Sequence, residues 1–127
     1  MKVKFFFYKK IQVYFQFCLL AQCLPSDREE FVNPYVKLYL RPPVDQKLRQ
    51  TSVQPQTINP IWNEYFKFGV ANETVFKTTK TLYFYIYNYA HSSRPECIGE
   101  AQLRLTPQIL RAGGDLWCTI SKQRAVR

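Results

Sequence analysis

Residues 81–87 read TLYFYIY, a run in which Leu82, Phe84 and Ile86 point one way and Tyr83, Tyr85 and Tyr87 the other. A period of two sustained this long defines a half-buried strand and leaves no face for a helix. Residues 35–40, YVKLYL, repeat the pattern, with Val36, Leu38 and Leu40 set against Tyr35, Lys37 and Tyr39. From Ile11 to Phe17, the side bearing Ile11, Val13, Phe15 and Phe17 alternates with Gln12, Tyr14 and Gln16. Outward from these runs lie the turn signals LPSDREEFVNP, RPPVD, QTINP, GVANET, NYAHSSRPE and RAGG. The punctuation predicts eight strands, near 2–8, 11–21, 35–41, 47–54, 62–69, 80–88, 97–105 and 115–120, and hence an antiparallel two-sheet sandwich. One short helix is expected in TPQILRAG, with Thr106 as cap, Pro107 in the first turn and Gly113 as terminator.

Composition fits this picture. A chain of 127 residues with 46% hydrophobic and 17% aromatic content can fill one core but not two. Eighteen Lys and Arg against nine Asp and Glu leave a net charge of +9, which favours anionic lipid headgroups, nucleic acid or acidic proteins. Cys18, Cys23, Cys97 and Cys118 form no CxxC pair, and His91 is the lone histidine, so zinc-ligand spacing is absent. With so much apolar surface the fold does not need disulfides, and reduced thiols in a cytoplasmic domain are the expectation. The amino-terminal MKVKFFFYKKIQVYFQFCLLAQC carries the ingredients of a signal peptide. Lys9, Lys10, Gln12 and Gln16 interrupt its apolar run well short of a membrane span, and strands are expected there instead.

NPYVKLYLRP, then TSVQPQTINPIWNEYFKF, then CIGEAQLRL closely resemble the C2 domain family, three blocks in that family's order. With MKVKFFFYKK and IQVYFQFCLLAQCLP as the first two strands, the resemblance covers nearly the whole chain, as a domain over 1–121 and a short basic tail over 122–127. It implies an all-β, eight-stranded antiparallel β-sandwich of C2-type Greek key and synaptotagmin-like strand order. Relatives of similar flavour include synaptotagmin-like, rabphilin and extended-synaptotagmin proteins and the class II phosphoinositide 3-kinase C2 domain. Pro60 and Trp62 make a rigid lead into a strand whose Trp62, Phe66 and Phe68 are core residues. Gly99 lets the next strand start beside a crowded loop, and Glu100 closes a local hydrogen bond.

In calcium-binding C2 relatives, carboxylates from two loops at one end of the sandwich supply the metal's oxygens. By that resemblance Asp27 stands on the first aspartate position, Asn33 replaces the second, Asn88 and Ala90 fall where two more belong, and Glu96 replaces the last. This degenerate set is too poor in charge for ordinary calcium binding, leaving at most a weak site at Asp27 and Glu96 and no other metal or cofactor. The family's second device is a basic sheet face for phosphoinositide headgroups. Tyr35 and Lys37 match it, while the expected lysines of the next strand have become Gln50, Ser52, Gln54 and Gln56. Lys47 and Arg49 join that face only if the strand slips by one residue. Phe31, Val32, Tyr89 and Pro95 stand on the loop tips, where shallow bilayer contact is expected. Further charge sits at Lys2, Lys4, Lys9, Lys10, Lys122, Arg124 and Arg127, and Tyr83, Tyr85 and Tyr87 offer a surface that a protein interface can use.

The expectation is a monomeric, non-catalytic C2 domain, cytoplasmic and peripheral to the membrane, docking onto anionic phospholipid without calcium. Protein docking without lipid and calcium-dependent lipid binding stand as alternatives. Catalysis is disfavoured by a single histidine, the lack of GxSxG or a phosphate-cradling glycine loop, and no paired carboxylates at a useful spacing. Nucleic acid is disfavoured because the aromatics alternate with core residues in place of a basic recognition helix. Asn72-Glu73-Thr74 has the form of a glycosylation sequon, of use only in a secreted chain.

Overall fold

The computed structural model describes residues 2–9, 13–22, 24, 32–43, 45–70, 79–90 and 94–121. The alternating runs pair as their pattern requires. Strand β3 (Pro34–Arg41) lies between β4 (Arg49–Gln50) and β6 (Lys80–Asn88), and β6 pairs with β7 (Glu96–Leu105). The facing sheet has the order β5 (Ile61–Val70), β2 (Val13–Leu20), β1 (Lys2–Lys9) and β8 (Gly114–Trp117). Every pairing is antiparallel, giving the eight-stranded sandwich expected.

The inner faces fuse into one core. Val36, Leu38 and Leu40 of β3 and Leu82, Phe84 and Ile86 of β6 meet Leu19, Trp62, Phe66 and Phe68 from the other sheet. Each such large apolar side chain contributes about 1.5–3 kcal/mol relative to exposure, which is why strict alternation is an adequate code for the fold. The corner before β5 is fixed by polar bonds. Trp62 Nε1 donates to the Ser52 carbonyl at 3.0 Å, and Glu64 Oε2 accepts from both Ser52 N–H and Oγ. Glu64 reaches Ser52 because β5 bulges there: Tyr65 pairs with Cys18 and Trp62 with Leu19, so Asn63 and Glu64 are inserted between partners.

Helix α1 (Pro107–Ala112) begins as anticipated. Thr106 Oγ1 accepts from Ile109 N–H, and Gly113 ends the helix at φ 64°, its N–H returning to the Ile109 carbonyl. Strand β8 stops short of the 115–120 expected. After Trp117 the chain crosses the end of the sandwich, and Ser121 exchanges two backbone hydrogen bonds with Glu100 of β7. Gly99 is required by this crossing, since a Cβ there would stand 2.7 Å from Ile120 Cγ2.

Strand β4 is the largest departure, two residues against an expected 47–54. Before it, Asp45 captures the Lys47 N–H and the Arg49 guanidinium, which bends the chain away from β3. After it, Thr51 N–H bonds the Val36 carbonyl and Gln54 N–H the Pro34 carbonyl, three residues spanning two of β3. The buried Thr51 Oγ1 fills the irregularity by accepting from Val36 N–H at 2.8 Å.

Candidate functional site

One end of the sandwich gathers the β2–β3, β4–β5 and β6–β7 connections, and Asn33 ties all three. Its N–H donates to Asn88 Oδ1 at 2.9 Å and its carbonyl accepts from Tyr89 N–H at 2.9 Å. Its side-chain Oδ1 accepts from Gln56 N–H at 3.0 Å, while Nδ2 donates to the Tyr89 carbonyl at 3.4 Å. Gln56 itself holds a left-handed backbone, φ 53°, a costly conformation for a side-chain-bearing residue that the Asn33 bond helps retain. Only an amide could make this set, because a carboxylate has no N–H for Tyr89.

The described donors here do not fit a calcium ion. The oxygens of Asn33 and Asn88 are neutral and already accept backbone N–H groups, Ala90 has no side-chain oxygen, and Glu96 alone carries charge. Among the described residues no group of three or more His, Cys, Asp or Glu could hold a metal. Asp27 and Phe31, the Asn72–Thr74 sequon and the 122–127 tail lie outside the described residues. Tyr89 is exposed on the loop as expected. Val32 corrects that expectation: it is 6% exposed and belongs to the core, held by Thr57 N–H bonding its carbonyl.

The outer face of the β4-β3-β6-β7 sheet is a terrace of tyrosines. By register Tyr35 stands beside Tyr87 and Cys97, Lys37 beside Tyr85 and Glu100, Tyr39 beside Tyr83 and Gln102, and Arg41 beside Thr81 and Arg104. Tyr35 and Tyr87 stack at 5.5 Å, Tyr83 and Tyr85 stack at 6.5 Å, and Tyr39 meets Tyr85 edge-on at 5.7 Å. Lys37 Nζ rests 5.0 Å above the Tyr87 ring, and the Arg41 guanidinium lies 5.5 Å from Tyr39. The rings enclose a groove of about 550 Å³ lined by Tyr39, Arg41, Tyr83, Tyr85, Tyr87 and Cys97. Burial pushes the Tyr35, Tyr85 and Tyr87 hydroxyls and the Cys97 thiol upward, so all stay protonated at neutral pH. Lys37, Arg41 and Arg104 against Glu100 leave this face cationic.

Tyr35 and Lys37 thus share the face assigned to them, but Tyr35 is buried and serves as a wall. Arg49 does not join them. Gln50 pairs with Lys37, and Arg49 pairs with Leu38 on the opposite, inward side. There the guanidinium lies 3.9 Å from the Phe68 ring centre, makes two 2.8 Å bonds to Asp45, and donates to the Lys67 carbonyl of β5. It is a staple between the two sheets. Lys47 is exposed ahead of β4, its N–H held by Asp45 Oδ1 at 3.0 Å. Arg41 and Arg104 are the cations that sequence reasoning passed over. The signal for Arg41 was present, since it continues the 35, 37, 39 alternation.

A sandwich of this strand order, with three connections gathered at one end, is the architecture of a C2 module, and comparison with known proteins agrees. The family model for the C2 domain matches residues 17–120. Synaptotagmin-1 of Caenorhabditis elegans is 38% identical over 102 residues, 80% of this chain and 22% of that protein. Synaptotagmin-3 of Mus musculus is 40% identical over 86 residues, 67% of this chain and 14% of that protein. The solution structure of the third C2 domain of KIAA1228 protein superposes with a TM-score of 0.76 at 21% identity, covering 100% of this chain and 90% of that one. The chain belongs to the C2 domain family. It spans about a fifth or less of the length of the curated synaptotagmins it matches, 22% and 14%.

Proposed function

We propose that this chain is a non-catalytic, monomeric C2 domain over residues 1–121, with a basic tail after it, that docks onto anionic phospholipid, phosphoinositides included, without calcium. Its place would be the cytoplasmic surface of a membrane, in trafficking or signalling. The carrying observation is Asn33: a position that relatives use for a metal-binding aspartate here bonds three loops together directly. The loop end therefore has the cross-links that an ion would otherwise supply. Beside it, Lys37 sits over Tyr87 with Tyr35 behind, a cation on an aromatic platform at the end of the sheet nearest the loops. A phosphate group entering the groove would meet Arg41 by charge-assisted bonds, and Lys37, above the Tyr87 ring of its lining, adds a second cation nearby. Each basic group near an anionic surface is worth about 1 kcal/mol, so binding should be salt-sensitive.

Liposome co-sedimentation tests the reading, with neutral, phosphatidylserine and phosphoinositide vesicles, calcium or chelator, and two salt concentrations. Binding to anionic vesicles with chelator present supports it. Lys37→Ala should weaken that binding roughly fivefold. Binding only with calcium overturns the calcium-independent part. The tyrosine terrace favours a second reading, protein docking, which absence of sedimentation under every condition would select.

A further inference from the structure

We infer that the outer face of the β5-β2-β1-β8 sheet carries a second bilayer contact, a rim running from Ile61 to Trp117 that sets the tilt of the domain on an anionic membrane. The inference rests on the membrane reading above. Register places Ile61, Leu20, Lys2 and Trp117 in one row across all four strands. Ile61 is 64% exposed, Trp117 55%, and Tyr65 in the next row 54%. Large apolar side chains exposed together on one row are uncommon unless something covers them.

Position and charge identify the cover. The row is the last before the loops: Leu20 leads into Ala21, whose N–H bonds the Pro60 carbonyl, and Pro60 precedes Ile61. Trp117 likewise precedes the crossing to Ser121 at this end. A domain standing on its loop end brings this rim to the surface on one side and Lys37 and Tyr89 on the other. Two opposite sheet faces cannot both lie flat on a bilayer, but the end rows of both can touch it together. Lys2 Nζ lies 5.3 Å from the Trp117 ring and 3.6 Å from Asp115, which it neutralises. An indole beside an ammonium, in a row that continues through Leu20 to Ile61, suits the headgroup boundary, where rings bury their bodies and cations meet phosphate. A second copy is a poor occupant, since each chain carries +9.

Trp117 is its own reporter, because the chain has two tryptophans and Trp62 is 0% exposed in the core. The intact chain is mixed with phosphatidylserine-containing vesicles, unlabelled or brominated in the acyl chains, and emission is followed alongside sedimentation. Expected are a blue shift on binding, quenching by the brominated lipid, and a roughly fivefold rise in the lipid needed for half-binding in Trp117→Ala and Ile61→Ser. Both substitutions fall at exposed sites, and an unchanged melting temperature confirms that they fold. Sedimentation with unaltered Trp117 emission overturns this inference alone. Absence of sedimentation overturns the membrane reading and this one with it. A blue shift that grows with protein concentration and needs no vesicle also overturns it, in favour of self-association.

Discussion

Asn33 and Asn88, 55 residues apart in sequence, are joined by a 2.9 Å bond from the backbone N–H of one to the side-chain oxygen of the other. Replacing Asn33 by Ala removes the Gln56 and Tyr89 side-chain bonds and should cost about 1–2 kcal/mol, read from urea midpoints. The triple substitution Asn33→Asp, Asn88→Asp, Ala90→Asp should create calcium-dependent stabilisation, because an ion binding only the native state raises its melting temperature. A melting temperature of the unaltered chain that climbs with millimolar calcium would sink the assignment of a neutral loop end.

Asp45 and Arg49 set an acid limit. The Arg49 hydrogen bonds, working against burial, hold the Asp45 carboxyl down to about 2 from an ordinary 3.8. A depressed folded-state value means that the unfolded chain takes up the proton first. The contribution is therefore complete above 3.8 and lost as pH falls toward 2. Asp45→Asn should be less stable by about 1 kcal/mol at neutral pH, after allowance for solvent screening, and the difference should vanish near the acid end. Equal stability of the two proteins across the range would remove Arg49 from its role as a staple.

At alkaline pH the tyrosine terrace governs. Tyr35, Tyr85 and Tyr87 are raised above 10.0 by burial, so the folded state keeps protons that the unfolded chain releases, and stability falls as pH climbs past 10.0. Lys80, buried with Nζ donating to the Pro42 carbonyl and lowered from 10.5, acts oppositely: its contribution rises with pH until the unfolded lysine also loses its proton. Three tyrosines outweigh one lysine above 10.5, and thermal melts with parallel tyrosinate absorbance should show a net loss there. Stability that holds flat through that interval would mean the rings are freely hydrated.

Gly99→Ala forces a Cβ to within 2.7 Å of Ile120 Cγ2, a branch next to the backbone that cannot swing clear. A loss of about 1–3 kcal/mol is expected. Pairing it with Ile120→Ala should recover part of that loss in a double-mutant cycle. Strict additivity of the two would show that the crossing segment does not press on β7.

The strands were legible because one face of each is core and the other is not, and β6 was found at its expected bounds. Strand β4 was not legible, since Asp45, Arg49 and Thr51 fix its course through side-chain bonds that periodicity does not encode. The same holds at the site. Lys37 could be placed from its neighbours, but the side taken by Arg49 depends on Gln50 being the residue opposite Lys37. The fourfold bonding of Asn33 involves residues 23, 55 and 56 positions away, invisible to any local reading. Val32 was misplaced because a loop residue next to apolar Phe31 reads as a tip, whereas Thr57 pulls its backbone inward.

The insertion of Asn63 and Glu64 in β5 also bears on aggregation. At ten residues each, β5 and β7 are the longest border strands of the described sheets; β4 and β8 are short, and β7 is partly covered by Ser121. A straight border of that length would template pairing with a strand from another chain. The two extra residues break its repeat, and Arg49 occupies the Lys67 carbonyl that an incoming strand would need. Chains of this fold are thereby kept from zipping to their neighbours when crowded.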